Sequence, residues 1–260
     1  MKYSIKAIKY GVSFILILSF VLFQCKKNTE SYTNDTHINY NNDESPGNSA
    51  RDFLRSTTYK SLKIEIQYMP GFKPDSRSLN IFVDLLNERL NKPAGISIEE
   101  KEIDPTFKTT FTINDIADIE SRNRTVYTSG DQIGAYILFT SGTYYNGNII
   151  GLAYKNTSIC FFVETIKYFL SGTEEDKIRI IALLLSHEFG HLLGLVDIGS
   201  PMVVDHHDPD HGNHCNNAKC LMHYTYTSYE KIKRNFKQIL LENPSFDKNC
   251  SDDLKANGGK

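Results

Sequence analysis

Two histidines and a glutamate, His187, Glu188 and His191, interrupt a stretch that is otherwise apolar on nearly every side: Ile178, Ile181, Leu184, Leu185, Phe189, Leu192 and Leu193. A helix that is hydrophobic all round belongs in a core. Polar groups buried there without partners are costly, so whatever fold this chain adopts must supply one. Residues four apart share a helix face, which lets His187 and His191 aim at a single point while Glu188 lies beside them. This H-E-x-x-H spacing suits a zinc ion (Zn2+) held by the two imidazoles, with Glu188 placed as general base for a metal-bound water.

The chain of 260 residues, 40% hydrophobic, is long enough for one well-buried domain. A formal charge of −2 and a pI near 6.4 offer no basic field for a nucleic acid, so no nucleic-acid partner is expected.

The first 25 residues read as a targeting segment. Lys2, Lys6 and Lys9 precede the apolar run Val12 to Phe23, shorter than the roughly twenty residues of a spanning helix. The run ends at Leu22-Phe23-Gln24-Cys25, which resembles a bacterial lipoprotein signal, although Gln24 replaces the small residue usual before the cysteine. The chain is therefore expected to be exported, with a lipid anchor at Cys25 to a bacterial membrane, or else plain secretion or an uncleaved anchor. Residues 26–58, rich in Asn, Asp, Ser and Thr, read as a disordered tether. A catalytic domain is expected over 59–250 and a tail over 251–260.

Beyond Cys25 the cysteines are Cys160, Cys215, Cys220 and Cys250. Outside the cytoplasm an even count suggests one or two disulfides, with Cys215 to Cys220 the nearest pair. A second metal site on these thiolates is the rival, although no second C-x-x-C follows. Cys160 lies in an apolar strand, which packing or a disulfide explains.

Periodicity predicts the order strand, helix, strand, helix, strand: residues 62–68, 76–91, 96–103, 113–122 and 134–139. Two short strands, 149–154 and 158–163, follow as a hairpin beside the sheet. If its first strand lies at the edge above the metal, it can take up an extended peptide by main-chain hydrogen bonds. The helix of the H-E-x-x-H stretch is expected over 173–193, with Gly194 turning the chain out of it. A C-terminal helix is expected over 229–241.

A catalytic zinc needs a third protein ligand and an open position for water. Seven of the eight histidines fall between His187 and His223, and the candidates beyond the helix are Asp197, Asp205, His206, His207, His211 and His214. His187, Glu188, His191, Gly194 and Asp197 resemble the metzincin signature H-E-x-x-H-x-x-G-x-x-H/D. Downstream, His214-Cys215, Cys220 and Met222 resemble the H-C-x4-C-x-M block of archaemetzincins. The whole chain is similar to a group of lipoprotein metalloproteases of Bacteroidetes.

The two alignments differ over one ligand. Asp197 keeps the usual spacing, whereas the archaemetzincin reading makes His214 the third ligand and inserts residues 196–213. Neutral imidazole is the commoner donor, so His214 ranks first, ahead of His206 and Asp197, with His211 behind and His207 facing solvent or orienting a ligand. A Cys215 to Cys220 bridge would pin His214. The resemblance also implies Met222 as the residue of a turn beneath the metal. It suggests Tyr224, or less readily Tyr226, as a tyrosine steadying the transition state.

The implied fold is α+β, a metzincin-like zinc peptidase with a mixed, twisted N-terminal sheet, a long active-site helix and a small irregular C-terminal subdomain. The implied activity is that of a zinc-dependent endopeptidase on peptide or protein substrates. A non-catalytic surface lipoprotein whose zinc only holds the 187–223 region together is the alternative, and a zinc hydrolase of non-peptide amides shares every residue named.

Overall fold

The computed structural model describes residues 40–167, 172–242 and 245–260. The expected signal segment with Cys25, and the tether as far as residue 39, lie outside the described residues. Among the described residues no helix is long and apolar enough to cross a membrane.

A five-stranded mixed sheet carries the fold, in the order β2-β1-β4-β7-β6. β1 (Ser61–Tyr68) lies parallel to β2 (Ile96–Glu102) and β4 (Gln132–Thr140), and β4 lies parallel to β7 (Ser158–Phe162). β6 (Gly151–Lys155) returns antiparallel to β7 and forms one edge. β4 and β7 are buried on both faces, which explains their apolar runs, whereas β1 alternates and buries the polar Glu65 and Gln67 as well. Along β4, Ile133, Ala135, Ile137 and Phe139 enter the main core, while Tyr136 and Leu138 face a second cluster with Phe111, Ile116 and Phe162.

The helices begin where the sequence offers caps. α2 (Ser76–Arg89) starts at Asp75, whose carboxylate accepts the Arg77 amide. α3 (Ile113–Asn123) and α5 (Glu174–Leu192) each open on a capping box, Thr112 with Asp115 and Thr173 with Asp176. α4 (Val163–Lys167) follows β7 directly, taking Val163 out of the expected strand. Gly194, at φ +73°, turns the chain out of α5, and a Cβ there would stand 2.5 Å from the Ser200 nitrogen. Only glycine fits so tight a turn.

The fold reaches beyond the expected limits of 59–250 at both ends. In the presumed tether, α1 (Ala50–Leu54) buries Phe53 and Leu54, and the Phe53 ring meets Phe189 of α5 edge-on at 5.3 Å. Two apolar residues after a polar run carry no period, yet their burial on the α5 helix offsets the ordering of the segment. At the other end, α6 (Tyr229–Glu242) is followed by α7 (Lys248–Ala256), so the expected 251–260 tail is packed. Leu254 and Asp253 are fully buried, and the Lys260 amide bonds to the Arg89 carbonyl at 2.9 Å. A two-stranded ladder of β3 (Thr110–Phe111) and β5 (Thr143–Tyr144) was too short to show in the sequence pattern.

Candidate metal centre

α5 brings His187, Glu188 and His191 to the floor of a cleft under β6, and the loop after Gly194 returns His214 to the same place. One nitrogen from each of His187, His191 and His214 lies within 4.8 Å of the other two. The ring centroids are 5.0, 5.4 and 5.2 Å apart, an almost equilateral arrangement. His187 Nδ1 is 2.7 Å from the Leu221 carbonyl and His214 Nδ1 is 2.6 Å from the His211 carbonyl. A carbonyl only accepts, so both Nδ1 atoms carry the proton and both Nε2 lone pairs are left over. Those two Nε2 atoms are buried and have no partner in the protein. Such a pair of orphaned lone pairs fits a metal ion, and the backbone bonds orient the ligands for it.

Electrostatics agree with neutral donors. Burial, then the neighbouring His214, lowers the His187 pKa to about 3. Burial followed by His187 and His214 takes His191 well below its ordinary value, and burial likewise lowers His214. Glu188 moves the other way: burial raises its carboxyl to about 8, opposed by the Ala153 amide, which donates to Oε2 at 3.1 Å.

The cleft, of about 380 Å³, is lined by Glu188, His191 and His214, by Gly151 to Ala153 of β6, and by Pro46, Ile198, His211 and Thr227 among others. Beneath it Met222 is fully buried against the helix: a Cβ on Gly190 would come within 2.3 Å of its sulfur.

The other sequence candidates go elsewhere. Asp197 is exposed, in a left-handed conformation at φ +64°, and outside the cluster of three imidazoles. Asp205 is exposed and accepts the His207 amide at 3.1 Å. His211 pairs with Asp208 at 2.8 Å and stacks flat on Tyr224, with 3.4 Å between ring centroids. Tyr224 is thus engaged by His211, while the buried Tyr226 has its ring 5.8 Å from that of His187.

The expected Cys215 to Cys220 disulfide is not formed; Cys160, Cys215, Cys220 and Cys250 are all free and buried. Instead Cys215, Cys220 and Cys250 converge with Asp247, their ligand atoms all within 4.8 Å of one another. The Asn217 and Met222 amides approach the sulfurs of Cys215 and Cys220, each two residues back, at 3.5 and 3.4 Å. Amides turned toward sulfur in this way stabilise thiolates. His206 sits beside the cluster, with Nδ1 3.4 Å from Cys215 Sγ and Nε2 2.7 Å from the buried Asp253. The grouping, three sulfurs and a carboxylate, suits zinc. Sequence reasoning missed Asp247, whose signal was the Asp247-x-x-Cys250 spacing in place of a second cysteine pair.

No family model matches the chain, and no curated protein matches it. Among solved structures the chain is similar to the crystal structure of an archaemetzincin from Methanopyrus kandleri, at 18% sequence identity and a TM-score of 0.51. The match covers 76% of this chain and 96% of the other. The likeness is one of fold.

Proposed function

We propose that the protein is a zinc-dependent endopeptidase in which His187, His191 and His214 hold the metal and Glu188 is the general base. The observation that carries this reading is the pair of buried, partnerless Nε2 atoms on His187 and His214, beside a buried carboxylate in an open cleft. Among the described residues that grouping has three donors and no fourth, which leaves a position for water and favours catalysis over a purely structural zinc. The likeness of fold to an archaemetzincin supports the same class of chemistry.

When bound, zinc supplies an acidified water and an electrophile for the scissile carbonyl. Glu188 takes the proton of the attacking water and returns it to the leaving amine. The Ala153 amide engages Oε2, so Oε1 is the oxygen available for that transfer. The outward edge of β6 offers main-chain groups to an extended peptide, as edge strands do in peptide recognition. Cys215, Cys220, Cys250 and Asp247 hold a second, structural zinc that fixes the segment carrying His214.

Glu188→Gln tests the assignment. The variant should retain its zinc while hydrolysis of a generic peptide library falls by about 100-fold or more. Hydrolysis at the wild-type rate would overturn the mechanism.

A further inference from the structure

A short stretch before the sheet, Asp43 to Gly47, crosses one end of the metal cleft. Its outer part is latched to the turn between β6 and β7 by Asn156, a buried side chain. The Asn156 amide bonds to the Glu44 carbonyl at 2.9 Å, its Nδ2 donates to the Asn41 carbonyl and Ser49 Oγ at 2.8 Å each, and its Oδ1 accepts the Glu44 amide at 3.3 Å. Lys155 adds an ion pair with Asp43 at 2.6 Å.

The inner part is pressed onto the loop after α5. Gly47, at φ +87°, would place a Cβ 2.1 Å from the Ile198 carbonyl oxygen, and a Cβ on Gly199 would stand 2.1 Å from the Gly47 oxygen. Backbone therefore lies directly on backbone. Between the two attachments, Pro46 lines the cleft together with Glu188, His191 and Ile198. The strap spans from the edge strand to the loop below it, and proline gives its middle a fixed φ.

The reach along the groove follows from β6. Glu188 is bonded to Ala153, and the latch is at Asn156, three residues on, so at most roughly 10 Å away at ~3.3 Å per residue of extended chain. The pairing of β6 with β7 shifts register between Ala153 and Lys155, a bulge that bends the edge where the strap arrives.

We infer that the Asp43–Gly47 strap is the end wall of the peptide groove, with Pro46 and Ile198 as its contact surface. It limits a bound peptide to at most about three residues beyond the scissile bond on the Lys155 side. This rests on the peptidase reading, and the strap makes the protein selective for cleavage near one end of a chain or of an exposed segment.

The test uses the zinc-loaded protein and two nested peptide series that share one scissile bond, lengthened on one side or the other from about two to about eight residues. Cleavage efficiency, kcat/KM, should fall about tenfold in one series once it passes about three residues, and hold level in the other. Pro46→Trp should bring the limit closer by one residue, and Asn156→Ala, which frees the strap, should relax it. Equal tolerance of length in both series overturns the end wall while leaving the peptidase intact. So does a limit that neither variant moves, in variants whose thermal unfolding shows them folded. Absence of cleavage at every length by protein carrying its full zinc overturns the peptidase reading and the wall with it.

Discussion

The amide of Ala153 and the carboxylate of Glu188 are joined by a 3.1 Å hydrogen bond that ties the sheet edge to α5, the helix of His187 and His191. β6 pairs with β7 on its other side, so this amide is an outward group of the edge, available without loss to the ladder. A hydrogen bond to a carboxylate contributes about 1.5–3 kcal/mol, enough to hold Glu188 in one rotamer.

Ala153→Pro isolates this contact, because proline removes the N–H at a position where the ladder does not use it. The expected result is a kcat lower by about tenfold or more, from the ~1.4 kcal/mol that each tenfold represents, with zinc content unchanged. An unchanged kcat would show that the bond does not position Glu188.

Gly190 and Met222 form the other fixed contact of the helix. Any side chain at 190 would drive into the Met222 sulfur, 2.3 Å from the site of a Cβ. Gly190→Ala should therefore destabilise the protein by about 1–3 kcal/mol, the usual cost of overpacking. Met222→Leu, which roughly conserves volume, should cost less than about 1.5 kcal/mol. Chemical denaturation of the two variants checks the order; equal losses would mean that Met222 is not wedged against the helix.

The two metal groupings make a prediction about stoichiometry. Purified protein should carry about two zinc ions per chain, and Cys250→Ala or His214→Ala about one. Asp197→Ala should leave the count unchanged, since Asp197 lies outside both groupings. Elemental analysis after gel filtration reads the difference. Loss of zinc in Asp197→Ala would return that residue to the ligand set.

Much of this was legible. The spacing of His187 and His191 requires only one helix turn, so a local pattern fixes their meeting. Strand β4 announced itself by an apolar run that burial on both faces demands, and β1 by an alternating one, although its polar Glu65 and Gln67 are buried as well. His214 was harder, because its approach depends on a loop of eighteen residues, 196–213, whose path no local period encodes. It was reached through the adjacent cysteine block. The thiol cluster was misjudged as a disulfide pair, since Cys250 and Asp247 arrive from α7, about thirty residues beyond Cys220, and such convergence is set by tertiary packing. The same holds for Phe53: a phenylalanine in a polar stretch becomes core only because Phe189 and Phe82 leave a place for it.

That docking of the N-terminal segment depends on Lys92, a buried ammonium at the start of the turn after α2. Its Nζ bonds to three backbone carbonyls, of Asp52, Arg55 and Tyr59, at 2.6, 2.5 and 2.7 Å. These carbonyls follow or belong to α1, so one side chain gathers the segment that presents Phe53 to the helix bearing His187 and His191. Lys92→Met keeps an unbranched apolar stem of nearly the same length and removes the ammonium with its three hydrogen bonds. Leaving partly buried carbonyls unpaired should cost about 2–3 kcal/mol. For a domain of this size that corresponds to a Tm lower by about 4–12 °C. Phe53→Ala, which empties the aromatic contact itself, should cost about 3–5 kcal/mol. The double variant should lose less than the sum, because both act on the same docking. Strict additivity in thermal unfolding would show instead that Lys92 and Phe53 stabilise the fold independently.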